Sequence, residues 1–364
     1  MLTVSEYSDL SAVAGIRDLW RELWWKTPKA SFFQSVEWFE RHCRRVADSE
    51  QPRVFLVAVT GRPVGLVPWV AKTVRSRLGR VRVLSDPLAE QGFFGGPLGC
   101  RPALTLQAAL NHAQSQGGWD RLDLRHVELQ AGDGTPGANR LNRSQKLRAV
   151  EESRAIVECH GDWVRYWRSR PGEVREDYLR SERTLAERGE LEHVRYRPEG
   201  APLGDDDPRW ELFNEIERGE HGRGEAASRS ATDSNGAQLL REMHDAATAV
   251  AGVDLNLLRL DGKPIAWAYN YRCDGRIEMQ RLHAAGEFSS AASCVLLGRM
   301  LRDGFRRGDE SYLFDRETSR RAAGWQTGRA ASRRSTHYAR RATRARLVRL
   351  LPGFRQFGTT AERA

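Results

Sequence analysis

The chain has 364 residues, of which 40% are hydrophobic, enough for two cores rather than one and without an apolar run long enough to span a bilayer. Its five cysteines (Cys43, Cys100, Cys159, Cys273, Cys294) are scattered and form no CxxC pair, which argues against a disulfide framework or a zinc site, so no metal is expected. The net charge of +10 is local: from Arg316 onward thirteen arginines face only Glu317 and Glu362, the rest of the chain is close to neutral, and a surface coated throughout for nucleic acid is excluded.

The first ten residues carry Glu6 and Asp9 and lack the basic-then-apolar pattern of a secretory leader, so a cytoplasmic location is expected. Helical patterns come next, over Leu10–Trp25 and Val36–Val46. A strand, tight turn and second strand read from Val54 through Gly61-Arg62-Pro63 to Leu66. A helix is predicted over Ala103–Gln116 and a strand over Trp119–Leu124. The polar, glycine-rich stretch Ala131–Arg143 reads as a joint. A helix over Gly172–Arg188 bridges into a second series: helices at Trp210–Glu217 and Ala237–Val250, then strands Asp254–Leu260, Pro264–Tyr271 and Arg276–His283. Asp261-Gly262 and Asp274-Gly275 are the turns of this meander. A helix beginning near Ser289–Ala292 runs to Arg306, and a strand covers Ser311–Asp315. From Arg329 through Arg349 a helical pattern is expected, with Tyr338, Ala342, Ala345 and Val348 on one side and arginines over much of the rest.

The second series echoes the first. Gly61-Arg62-Pro63-Val64-Gly65 returns 201 positions later as Gly262-Lys263-Pro264-Ile265-Ala266. Helices precede each hairpin, and a helix and a short strand come after it. Two α+β units of one design are therefore expected, each a central, mostly antiparallel mixed sheet flanked by helices. The boundaries read as 1–140 for the first unit, 141–190 for the linker and bridging helix, 191–335 for the second unit and 336–364 for a basic helix and tail.

Four segments carry a family resemblance: Phe32-Phe33-Gln34-Ser35-Val36-Glu37-Trp38; Arg175 with Tyr178 through Gly189; Leu258 through Ala266; and Phe314-Asp315 followed by Trp325. On these the chain resembles the tandem GNAT-fold acyltransferases of bacterial exopolysaccharide and cellulose gene clusters, relatives of the Fem-type aminoacyl transferases. The likeness runs over nearly the whole chain. It departs at Glu220-His221, where such members carry Trp-Lys, and at Ser289-Ser290-Ala291, where they carry Ser-Pro-Gly. The resemblance implies an acyl-CoA co-substrate, acetyl-CoA in the simplest case, a structural first unit and a catalytic second one.

Acylating an amine with a thioester requires a neutral amine, a place for the oxyanion and a grip on the donor's phosphates. In the GNAT fold a fourth-strand N–H and the start of the following helix serve the last two, which places the donor at Ser289, Ser290, Ala291 and Ala292. Ser290 is equally an ordinary N-cap. Glu217 shares a helical face with Trp210 and Phe213 and is the preferred general base, or else a solvated charge. His221 joins that face if the helix runs on. Ile265, Trp267, Tyr269 and Tyr271 alternate onto one face as core or groove lining, and Tyr269 is a candidate acid for the leaving thiolate. His283 and Asp315 end strands that point toward the expected cleft, where each is also a plain structural residue. Arg175 and Glu182 project inward from the bridging helix and pair with each other or across an interface.

The acceptor expected is a small amine or an amino sugar. The basic end is first read as a solvated terminal helix docked by its small apolar edge; beside that, it could meet acidic lipid headgroups on the inner face of the membrane, an anionic glycan or polysaccharide-assembly complex, or RNA, with nucleic acid ranked below the others. Two other readings stand beside acyl-CoA transfer: an aminoacyl-tRNA donor, as in the Fem type, and an inactive adaptor of a glycan-export complex.

Overall fold

The computed structural model describes residues 1–76, 79–87, 96–128, 148–198, 242–284, 286–315 and 318–339. It divides into two units. The first holds Met1–Ser153 and takes up the chain again from residue 331; the second is Arg154–Ala330.

In the first unit, β1 (Leu2–Tyr7) leads into α1 (Leu10–Ala14), α2 (Arg17–Trp25) and α3 (Val36–Arg45). The helix predicted over Leu10–Trp25 is broken at Gly15, whose N–H donates to Ser11 O while the Ile16 N–H donates to Val13 O. Strands β2 (Glu50–Val59), β3 (Arg62–Ser76) and β4 (Gly79–Ser85) form the antiparallel part of the sheet, with β1 antiparallel to β2 at its edge. Helix α4 (Pro102–Gln116) crosses over to β5 (Arg121–Glu128), which lies parallel to β4. Phe55, Trp69, Leu84, Leu110 and Trp119 fill the core beneath α4.

The second unit repeats this order. Its first elements are β6 (Arg148–Glu158, which enters the second unit at Arg154), α5 (Trp163–Arg168), α6 (Gly172–Ala186) and β7 (Leu191–Tyr196). Then β8 (Val253–Leu260), β9 (Lys263–Cys273) and β10 (Arg276–Ala284) form the predicted meander. Helix α7 (Ser289–Arg307) crosses to β11 (Ser311–Leu313), parallel to β10, and leads on to α8 (Thr318–Arg321). The last described strand, β12 (Gly328–Tyr338), pairs antiparallel with β5. The strand orders are therefore β1-β2-β3-β4-β5-β12 in one unit and β7-β8-β9-β10-β11-β6 in the other. Both are mixed, mostly antiparallel sheets flanked by helices, as the sequence predicts.

The equivalent hairpin turns are alike in backbone as well as in sequence. Thr60-Gly61 and Asp261-Gly262 both have positive φ at two successive residues (48° and 77°; 50° and 75°), the conformation that matches a two-residue turn to strand twist. Asp274-Gly275 repeats it.

Three expectations are corrected. Helix α6, read as a bridge, belongs to the second unit, where Tyr178 and Leu185 enter a core built with Val295, Met300, Tyr312 and Trp325. Residues 328–338 are a strand rather than the start of a basic helix, because the ladder to β5 outweighs a helical spacing of small residues. Arg175 and Glu182 do not pair. They stand two turns apart, and Glu182 instead accepts from Tyr178 Oη (3.2 Å) and Arg299 Nη2 (3.0 Å). The proposed joint at 131–143, the helix at 210–217 and the basic residues from 340 onward lie outside the described residues.

Candidate functional site

The second unit's two strand faces differ in chemistry. On the face that carries α7, Ala266, Ala268, Ile277 and Met279 join the apolar core. On the other face β9 presents Trp267, Tyr269 and Tyr271 in the predicted alternation, all buried. Their partners across the ladder in β10 are His283, Arg281 and Glu278.

That β10 column depends on one irregularity. The register against β9 slips between Met279 and Arg281, so Gln280 is the extra residue of a β-bulge. Strict alternation would send Glu278 and Arg281 to opposite faces. The bulge puts a carboxylate, a guanidinium and an imidazole in a row beside three aromatic rings.

The same place is where the sheet parts. The parallel ladder between β10 and β11 covers only Arg276–Glu278 against Ser311–Leu313. Beyond it Phe314 donates its N–H to Ala155 of β6 (3.1 Å), while β10 runs on to Ala284. No strand among the described residues lies along that side of Met279–Ala284. In the first unit the corresponding parallel ladder, β4 to β5, covers Val83–Ser85 against Arg121–Asp123.

Helix α7 starts just after β10. Its N-cap is Phe288, so Ser290 is not the cap: it sits exposed in the first turn and makes no side-chain capping bond. The turn is closed by backbone instead, Ser289 N–H to Gly286 O (3.2 Å) and Ala292 N–H to Phe288 O (2.8 Å). Ala291 is half-buried and Ala292 fully buried against the core. Arg188, beyond the end of α6, lies with its guanidinium 5.1 Å from the Phe288 ring centre, adding positive charge beside this N-terminus.

The structure also places the other residues singled out in the sequence. Tyr269 Oη lies 3.1 Å from His244 Nδ1 in the helical segment 242–248. Burial pushes its hydroxyl well above the ordinary tyrosine range, and the neighbouring Tyr271 adds to that. His283 is half-buried and stacks on Trp267 at 5.5 Å and 28°. Asp315 caps α8: its carboxylate accepts the Thr318 N–H (2.8 Å) and the Thr318 hydroxyl. Glu217 and His221, the proposed base and its neighbour, lie outside the described residues. Sequence reasoning misses Glu278, Arg281 and His244. For Glu278 a signal exists, an acid between Ile277 and Met279 in an apolar strand.

A separate polar cluster lies beneath α7. Asp254, fully buried, receives Arg195 in a two-pronged contact (2.8 and 3.0 Å), Arg197 (3.0 Å) and Asn270 Nδ2 (2.9 Å). Arg197 also reaches Asp309 (2.7 Å), which accepts from Tyr312 Oη (2.5 Å). Burial alone would raise the Asp254 carboxyl, but the two guanidiniums and Asn270 outweigh it and hold the group far below the usual carboxylate range. Its charged groups pair with one another, which marks it as a structural network.

Among the described residues no group of His, Cys, Asp and Glu could hold a metal ion, and no helix is long and apolar enough to cross a membrane.

Comparison with known proteins agrees with this architecture. Residues 172–320, which lie in the second unit, match the family model described as an acetyltransferase (GNAT) domain. Among solved structures the chain is similar to FemX, at 11% identity over 88% of this chain and 95% of that one, with a TM-score of 0.58. It is also similar to the C-terminal domain of a putative lysylphosphatidylglycerol synthetase from Agrobacterium fabrum (12% identity, 94% and 98% coverage, TM-score 0.54). A conserved protein of unknown function from Bacteroides thetaiotaomicron is likewise similar (10% identity, 93% and 100% coverage, TM-score 0.51). At these identities the likeness is one of fold. No curated protein matches the sequence.

Proposed function

We propose that the chain is an N-acyltransferase whose second unit moves an acyl group from acyl-CoA, acetyl-CoA in the simplest case, to an amine. The acceptor class we favour is an amino sugar of surface-polysaccharide metabolism, as the family resemblance implies. The observation that carries the reading is the parting of β10 from β11 at a bulge, beside the start of α7, within the residues that match the acetyltransferase domain.

The chemistry fits that geometry. The amine nitrogen attacks the thioester carbonyl, a C–N bond forms and the C–S bond breaks. The proton leaving nitrogen needs an acceptor, and Glu278, 2% exposed on the aromatic face, is the carboxylate at the parting point. Backbone groups freed from the ladder by the bulge suit the developing oxyanion. The start of α7, with Arg188 beside it, suits the donor's phosphates. The thiolate of the departing CoA takes a proton from solvent, and Glu278 returns the one it accepted to solvent, so the proton count closes.

A second donor class, aminoacyl-tRNA, is favoured by one feature, the arginine surplus after residue 316. Calorimetry with acetyl-CoA, together with thiol release in the presence of glucosamine, tests the first reading. Saturable binding and turnover support it. No binding and no turnover by folded protein would sink it, and aminoacyl transfer from charged tRNA would then establish the second. Failure with both donors leaves the adaptor reading standing.

A further inference from the structure

Trp267 holds an indole N–H with no partner among the described residues. The residue is 5% exposed, and its Nε1–H meets no hydrogen-bond acceptor among the described residues. Three buried tryptophans of the first unit behave differently: Trp20, Trp24 and Trp119 donate to the carbonyls of Gln34, Ser31 and Ala113 at 2.9, 2.9 and 2.8 Å. An indole N–H shut away from water normally finds a partner, and one left over suits an acceptor atom on a ligand.

Its position says what that something is near. Trp267 pairs in register with His283 and stacks on its ring, at the stretch of β10 that has no further strand beside it. One row along the same face are Tyr269 and Arg281, next to the bulge. Adjacent rows on one face of a strand stand roughly 7 Å apart, a separation that a single sugar ring bridges. A ligand reacting at the bulge therefore extends toward Trp267 past half-buried His283. An N–H can only donate, so the matching ligand atom is an acceptor, such as a hydroxyl oxygen.

We propose that Trp267 is a specificity-determining residue whose indole N–H donates to a hydroxyl of the acceptor, so that the site favours an amino sugar over a plain alkyl amine. The inference rests on the acyl-transfer reading and narrows its acceptor. A site built around an unpaired donor rejects an analogue that leaves the donor unpaired.

The test compares glucosamine with cyclohexylamine, which keeps a ring and an amine but has no hydroxyl, using acetyl-CoA as donor. The ratio of their kcat/KM values is measured in the natural protein and in Trp267→Phe, which keeps an aromatic ring and removes the N–H. The ratio is expected to fall about tenfold or more, chiefly through the KM for glucosamine. An unmoved ratio overturns the proposal while leaving acyl transfer intact. A natural protein that acetylates neither amine tells against the acyl-transfer reading. In that case, or if Trp267→Phe does not fold, titration of 15N-tryptophan-labelled natural protein decides. One of the eleven indole N–H resonances should move downfield with glucosamine and stay put with cyclohexylamine. No glucosamine-specific shift overturns the proposal.

Discussion

Glu278 and Arg281 leave β10 on the same face although they stand three positions apart, because the register against β9 slips by one between them. The polar row beside the sheet's opening exists only because of that slip. Deleting Gln280 would remove the bulge yet keep Arg281 opposite Tyr269 and His283 opposite Trp267, on the same face as Glu278. What is lost is the break in the ladder that frees backbone groups for the oxyanion. The deletion variant is therefore expected to fold and to bind acetyl-CoA while losing turnover with glucosamine, checked by a thermal melt, calorimetry and steady-state kinetics.

Glu278→Gln keeps the shape of the side chain and removes its ability to take a proton. Loss of a positioned base lowers turnover by about 10²–10⁴-fold. The expected result is such a fall in kcat with glucosamine and acetyl-CoA, with the Kd for acetyl-CoA within about threefold of the natural protein. A kcat within tenfold would remove Glu278 from the role.

Tyr269 offers a contrasting case. Its hydroxyl is buried, bonded to His244 Nδ1 and raised well above the ordinary tyrosine range. Tyr269→Phe should cost about 1–3 kcal/mol of stability through the stranded partner and leave kcat within a few-fold. Denaturant melts and steady-state kinetics together separate this from the thiolate-protonating role expected from sequence.

The buried carboxylate Asp254 makes stability depend on acid. Its folded pKa is depressed, so its contribution is fully present above the unfolded value of about 4 and is lost as pH falls through the folded value. Asp254→Asn leaves Arg195 and Arg197 short of a countercharge and should cost about 3–5 kcal/mol near neutral pH. The deficit should shrink toward pH 2, as urea melts across a pH series would show.

At Gly298 α7 packs closely against Tyr178 of α6. A Cβ there would meet Tyr178 Cε2 at 2.2 Å, and Tyr178 is itself locked among Trp167 and Trp325. Gly298→Ala is expected to destabilise by about 1–3 kcal/mol through overpacking, despite the better helix propensity of alanine. A raised melting temperature would contradict this packing.

Much of this architecture is legible in the residues. The meander is readable because its turns are Asp-Gly pairs, whose positive φ values few other sequences accept, and because the strands alternate. The repeat is readable from the same turns. Features set by long-range pairing escape such a reading. β1 is a short edge strand with little apolar signal, and β12 is an arginine-bearing segment that becomes a strand only because β5 offers a ladder. The bulge has no local signature, so the faces of Arg281 and His283 cannot be assigned from spacing alone. Ser290 looks like a cap because caps are usually serine, yet Gly286 and Phe288 carbonyls close the turn two residues earlier. Asp315 suits two roles by its position at a strand end, and the structure shows it capping α8.

The discontinuous makeup of the first unit bears on how the polypeptide is born. Residues 154–330 form an unbroken stretch that holds every strand pairing of the second sheet, so that sheet can close while the ribosome is still extending the chain. The earlier-made β5 must wait for β12, some two hundred residues downstream, before its outer edge is covered. Vectorial synthesis, which ordinarily lets the amino-terminal portion mature first, here leaves that portion incomplete until the end, and a gene fragment stopping at Ser153 would never supply the missing strand.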